Sequence, residues 1–523
     1  MKHAPWVLIP SLLCMPGHAQ FDPSKFKAEP AAVARHYPDP RLAYETPGLR
    51  PGRQDLTSHQ EALDDLRQRV NDHPWIRLET VGMSQQGRAI PLVLLFAQGQ
   101  YQPDRPTVLI VAQQHGNEPA GGEAALALVQ QLSTVHRPLL ERVNVLILPR
   151  ANPDGAEHFV RATANGLDVN RDHLLLQTPE GRAIAQTALR FSPQVVMDLH
   201  EFTVGGRWID KFGAYSRYDA LLQAASVGNL NSRIGDLALR DFVGAARSAL
   251  EAEHLSTFWY HTSSSDAQDK LVSMGGVQPD TGRNVYGLRH AVSVLIETRG
   301  VGLGRAHYAR RVHTHVLATL AVIQTAAHQG PALLEATASA RQATGDAACR
   351  GELVVQAQAT PTQETLQLVD AQSGDIRAET VAWRSALQLQ VKQARQRPCG
   401  YWLGQDEVDT VQRLRLLGVT VRPITQDRRV PVESYRVIQE TGGQRQDARG
   451  AIAADRPIRN VSVATEPGER LLPAGSWFVS MYQPMGSLVA AALEPDSQNS
   501  YVANHLLGLS PDKLLRVMRP LPD

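Results

Sequence analysis

The stretch RPTVLIVAQQHGNEPAGGEAALALVQQL, residues 105–132, decides the fold class. Its opening RPTVLIVAQQ is rich in β-branched residues and reads as a buried strand, while PAGGEAALALVQQL has apolar residues at helical spacing with Pro119 near its start. His115 and Glu118 stand in the turn between them. Loops held by a rigid sheet at such junctions are where α/β proteins place chemistry. Taken alone, the pair also reads as an acidic residue favourably placed in a helix's first turn.

Outward from this unit the elements alternate. AIPLVLLFA, RVNVLILPR, PQVVMDLH and AVSVLIETRG read as strands; SHQEALDDLRQRV, EGRAIAQTALRF and RAHYARRVHTHVLATLAVIQTAA read as helices. This predicts an α/β fold with a central mixed, mostly parallel sheet covered by helices on both faces. After residue 330 the composition changes. GPALLEATASARQATGDAA lacks strand signals, so residues 331–347 are expected to link two units, a catalytic domain over 20–330 and a smaller, mainly β C-terminal domain over 348–523. In that second unit, Val408, Val411, Leu414 and Leu417 mark the apolar face of one helix. Trp477, Phe478 and Tyr482 read as β-core aromatics more readily than as a binding surface.

A length of 523 residues favours two domains, and a formal net charge of +1 gives no global field for nucleic acid or a polycation. The start MKHAPWVLIPSLLCMPGHAQ has the layout of a signal peptide over residues 1–19, which predicts export to a periplasm or the medium. No later segment is apolar for the roughly 20 residues a membrane span needs. Beyond the leader only Cys349 and Cys399 remain, as a disulfide or as two free thiols. Oligomeric state is not indicated.

His200 closes the strand pattern VVMDLH. Strand C-termini in a doubly covered sheet converge on one crevice, so His200 can meet the turn that carries His115 and Glu118. Two histidines and a glutamate make a Zn²⁺ set with one position left open. MSQQGRAIPL, HGNE, NPDG, LDVNRD, DLHE and LIETRG follow in the order found in the zinc metallocarboxypeptidase family, which the chain therefore resembles over about residues 55–325. The resemblance points to the carboxypeptidase A-like superfamily, in a bacterial exported branch.

The resemblance implies one Zn²⁺ per chain on His115, Glu118 and His200, and a peptide substrate with a free C-terminal carboxylate. Glu297, in LIETRG, falls at the family's general base, although a salt bridge to Arg299 would also account for it. Arg161 matches the clamp on the developing oxyanion, and Asn170 with Arg171 the pair that holds the terminal carboxylate. Asp168 would accept the second ring N–H of His115. NPDG reads as a structural turn.

The chain departs from the family's digestive members in having no tyrosine just before Gly275-Gly276; Tyr260 and Tyr286 are the nearest and neither is in register. Arg283, in the loop after those glycines, is a candidate for binding an acidic side chain or a second carboxylate, or for facing water. The HGNE string is also similar to the deacylase branch of the superfamily, which makes an N-acyl amino acid deacylase (aspartoacylase or succinylglutamate desuccinylase-like) the alternative reading. A binding module with a vestigial metal site is disfavoured, because a dead site has no physical reason to keep Glu297 beside a complete ligand set.

Overall fold

The computed structural model describes residues 21–41, 44–447, 450–451 and 457–521. The expected leader, residues 1–19, lies outside them. Eight strands form the central sheet: β1 (Ile76–Met83), β2 (Ala89–Leu95), β3 (Thr107–Ala112), β4 (Asn144–Leu148), β5 (Val195–Thr203), β6 (Ala220–Ala224), β7 (Thr257–Trp259) and β8 (Val292–Val301). Their order is β1-β2-β4-β3-β5-β8-β6-β7. The middle, β4-β3-β5-β8, is parallel; the β1-β2-β4 edge and the β8-β6 pair are antiparallel. This is the mixed, mostly parallel sheet the alternating elements predict.

Strand periodicity divides the core between the two faces of the sheet. In β3, Val108, Ile110 and Ala112 pack under the helices Pro119–Ser133 and Tyr308–His328, while Leu109 and Val111 face the helix Pro179–Phe191. On β5, Val195, Met197 and Leu199 take the first face, leaving Asp198 and His200 on the second with Val196. β8 runs parallel beside it with Val292, Val294 and Ile296 on the first face, so that Glu297 falls opposite His200 in register. The helix His59–Asp72 begins at a capping box in which Ser58 and Glu61 satisfy each other's backbone N–H groups.

The stretch expected to be a linker is a helix, Gly330–Asp346, with Pro331 in its first turn and Leu333, Ala336 and Ala340 buried. Its alanines supply helix propensity, and the three buried residues lie close to one face. The C-terminal β region does not stand apart from the catalytic part. A long hairpin, Glu352–Asp370 with Ile376–Gln396, lies in one sheet with the short strands Ala214–Ser216, His261–Ser263 and Val272–Met274. Leu366, Leu368, Val381 and Trp383 of the hairpin share a core with Trp208, Phe212, Val272 and Met274.

A six-stranded antiparallel sheet completes the C-terminal region, and its core includes Leu174, Leu175 and Leu176 of the catalytic part. Val411, Leu414 and Leu417 are buried there as the helical pattern predicts, whereas Val408 is exposed. Phe478 is buried, Trp477 is partly buried and Tyr482 is exposed. Arg395, on the hairpin, pairs with Glu494 and Asp496, and the fully buried Arg516 pairs with the same Glu494, which also accepts the Tyr401 hydroxyl. Cys349 and Cys399 form a disulfide. No described helix is long and apolar enough to cross a membrane.

Candidate active site

Glu118 occupies the N-cap of the helix Pro119–Ser133, yet its side chain makes no capping bond. Glu201 accepts the Ala120 N–H instead, at 3.0 Å. The Glu118 carboxylate is therefore available to the two histidines: Oε1 lies 2.8 Å from His115 Nδ1, and Oε2 lies 2.9 Å from His200 Nδ1. The two Nδ1 atoms are 3.0 Å apart. All three residues are buried, and one ligand atom from each lies within 4.8 Å of the others. Gly116 permits the turn that brings them together, since a Cβ there would fall 1.8 Å from the Gly155 carbonyl carbon.

The far nitrogens of both rings face carboxylates. His115 Nε2 donates to Asp168 Oδ1 at 3.0 Å, and His200 Nε2 lies 2.9 Å from Asp198 Oδ1. With the protons held on Nε2, both Nδ1 lone pairs point at the same space. Two imidazoles and a carboxylate oriented by outer carboxylates fit Zn²⁺, which takes nitrogen and oxygen donors in a tetrahedral set with room for one more. Burial alone would raise the Asp168 pKa, but Arg161 and His115 outweigh it and hold this carboxyl well below the usual range. Arg161 donates from Nε and Nη2 to Asp168 Oδ2, at 3.1 and 2.9 Å, and its Nη1 lies 3.2 Å from Glu118 Oε1.

Asp168→Ala is expected to weaken zinc binding about 10–100-fold, the usual effect of removing a carboxylate behind a histidine ligand. Competition with a fluorescent zinc chelator measures it. Unchanged affinity would show that Asp168 does not orient His115.

One cavity of about 230 Å³ is lined by His115, Glu118, Arg161, Asn170, Arg171, Arg283 and Glu297. The fold thus gathers the sequence-derived residues that line one space, while His200 and Asp168 stand behind it. Asn170 Nδ2 is 3.1 Å from His200 Nε2, and its Oδ1 accepts the Gly282 N–H at 2.9 Å. The backbone carbonyl of Arg171 accepts a bond from Arg445, and Tyr501 and Arg413 hold the carbonyls of Leu174, Leu175 and Leu176. The C-terminal region therefore buttresses the loop that carries Asp168, Asn170 and Arg171. Arg299 pairs with Glu29 at 2.9 Å, across the face of Tyr37.

NPDG is structural, as its composition suggests: Asn152 caps the short helix Pro153–His158, and Asp154 is held by Ser84, Gln86 and Arg88 of MSQQGRAIPL. Sequence reasoning missed Asp198, although its position two residues before His200 puts both on one face of β5. It also missed the Gln114 side chain, which donates to Asp198 at 2.6 Å and accepts from His173 at 2.7 Å. Burial pushes the His173 pKa down to about 4, so its ring is a neutral donor. Arg207, Trp208, His261 and Thr262 line the cavity without any motif to announce them. Tyr260 lines it too, whereas Tyr286 is buried against His173.

A zinc carboxypeptidase family model matches residues 62–208. The chain is 28% identical to carboxypeptidase 2 of Trichophyton equinum, over 92% of this chain and 90% of that protein. It is also 28% identical to carboxypeptidase 2 of Trichophyton rubrum, over 91% of this chain and 89% of that protein. These relatives are fungal and do not single out a bacterial branch. Among solved structures, a metallo-carboxypeptidase from Pseudomonas aeruginosa is 22% identical, covering 51% of this chain and 68% of that one, with a TM-score of 0.38. The segment that matches, residues 62–208, carries all three metal donors, and the activity is that of a zinc metallocarboxypeptidase.

Proposed function

We propose that this enzyme releases single residues from peptides by gripping their free C-terminal carboxylate, and that it works outside the cytoplasm. One observation carries the first part: Asn170 and Arg171 line the same cavity as His115, Glu118 and Glu297. A guanidinium fork and an amide donor suit a terminal carboxylate, and their place beside the metal donors sets the last peptide bond over the zinc site. When bound, the zinc ion supplies Lewis-acid polarisation of the scissile carbonyl and acidifies water.

The chain's own residues do the rest. Glu297, beside His200 in the strand register, takes a proton from the attacking water and delivers it to the leaving amine. Arg161, anchored on Asp168, holds Nη1 toward the metal donors and offers it to the oxyanion as charge develops on the carbonyl oxygen. Asp168 and Asp198 keep the two ligand rings in the correct tautomer. The leader pattern and the disulfide support work in an oxidising compartment.

Arg171→Ala is expected to raise KM for free-acid peptides about 100-fold, the order of effect for truncating one partner of a charge pair, with a smaller change in kcat. Steady-state kinetics on a peptide and its amide test this. A wild-type enzyme that cleaves the amide equally well, or an unchanged KM in the variant, would remove the carboxylate grip. Export is tested by N-terminal sequencing of the secreted or periplasmic protein; a product retaining residues 1–19 inside the cell would contradict it.

A further inference from the structure

Arg283 is buried, with 4% of its surface exposed, and still lines the active-site cavity. It sits in the helix Gly282–Leu288, whose first residue is tied to Asn170 through the Gly282 N–H. Nη2 donates to the Gly276 carbonyl at 2.6 Å, and the buried Nε has no hydrogen-bond partner among the described residues. Among the described residues, no carboxylate forms an ion pair with it. Burial brings its pKa down to about 10, against the opposing pull of Tyr260, Asp198 and Glu297. The guanidinium nevertheless stays charged at neutral pH.

A buried cation without an anionic partner is costly unless a ligand supplies one. The surroundings are polar as well, with Tyr260, Thr262, Gln278 and Thr281 in the same lining. An apolar side chain in this space would leave the guanidinium desolvated and unpaired, and a basic one would be repelled. Gly275 keeps the approach open: a Cβ there would fall 2.9 Å from Arg283 Nη2 and 2.8 Å from the Tyr260 ring.

Resting on the carboxypeptidase reading above, we infer that Arg283 is the specificity-determining residue of the cavity and that the released residue carries an acidic side chain, aspartate or glutamate. Arg171 then takes the terminal carboxylate and Arg283 the side-chain carboxylate, which divides two negative charges between two guanidinium groups.

The test is kcat/KM of the zinc-loaded full chain on acyl-dipeptides that differ only in the last residue: Glu, Gln, Leu or Lys. The glutamate peptide is expected to be preferred over its neutral isostere, the glutamine peptide, by at least about tenfold. Arg283→Met is expected to lower the value for Glu about 100-fold and to leave Gln within a few-fold. Arg283→Lys, which keeps a charge, should retain part of the preference, and metal analysis of both variants checks that zinc is still bound. Wild-type release of Leu or Lys as fast as Glu overturns the inference. So does a parallel loss on all four peptides in Arg283→Met, which would make Arg283 a loop support or a second grip on the terminal carboxylate. Release of nothing from any free-acid peptide by the wild type is a separate result: it overturns the parent reading, and this inference falls with it.

Discussion

Glu297→Gln will lower kcat by about 10²–10⁴-fold, the range over which a positioned general base accelerates proton transfer. KM should stay close to wild type, because the isosteric amide keeps the shape of the cavity wall that Glu297 helps to form. Zinc content should be unchanged as well, since the donors come from β5 and the turn after β3 while Glu297 comes from β8. A fall in kcat and kcat/KM together is the signature of an interaction made in the transition state. Steady-state kinetics with metal analysis on the same preparation measure all three. A variant with near wild-type kcat would take the base role away from Glu297.

His200→Ala removes one of three donors and should weaken zinc binding by more than the 10–100-fold expected behind the ligands. Activity would then fall to background at stoichiometric zinc. The side chain is buried beside Asp198, so the variant also takes the ion-pair partner from a buried carboxylate and leaves it only the Gln114 donor. Its melting temperature should drop in the metal-free protein as well, which separates packing from metal loss. Isothermal titration with zinc, alongside a thermal melt of each apo form, reads both effects. Tight binding and full activity in the variant would exclude His200 from the metal site.

The central sheet was legible because strands buried on both faces are nearly continuous apolar runs, and those over 106–114 and 193–200 end at the residues that matter. The motif residues were legible for a similar reason: the loop after each strand sits at one edge of the sheet, where ligands are brought together. What the sequence hid was long-range. Asp198 follows the alternation of β5, but an aspartate inside an apolar strand announces its partner only once the neighbouring strands are placed. The mainly β reading of residues 348–523 did not show that two of its strands, Glu352–Asp370 and Ile376–Gln396, are long partners in one hairpin.

No local pattern says that this hairpin pairs with Ala214–Ser216 and Val272–Met274, because register is set by partners far away in sequence. The helix Gly330–Asp346 was hidden differently. Its small alanines give a weak apolar stripe that resembles a linker's composition, although Pro331 and the spacing of Leu333, Ala336 and Ala340 carry a helical signal. The far wall of the cleft, with Arg207, Trp208 and the segment from Tyr260 to Thr262, comes from short elements with no periodicity of their own.

The most direct measurement is mass spectrometry of one peptide in free-acid and amidated form, together with N-acetylated and N-succinylated amino acids, after incubation with the zinc-loaded enzyme and with Glu297→Gln as the blank. Stepwise shortening of the free-acid peptide alone, one residue at a time from the C-terminal end, is expected. Hydrolysis of the N-acyl amino acids with the peptide left intact would contradict it.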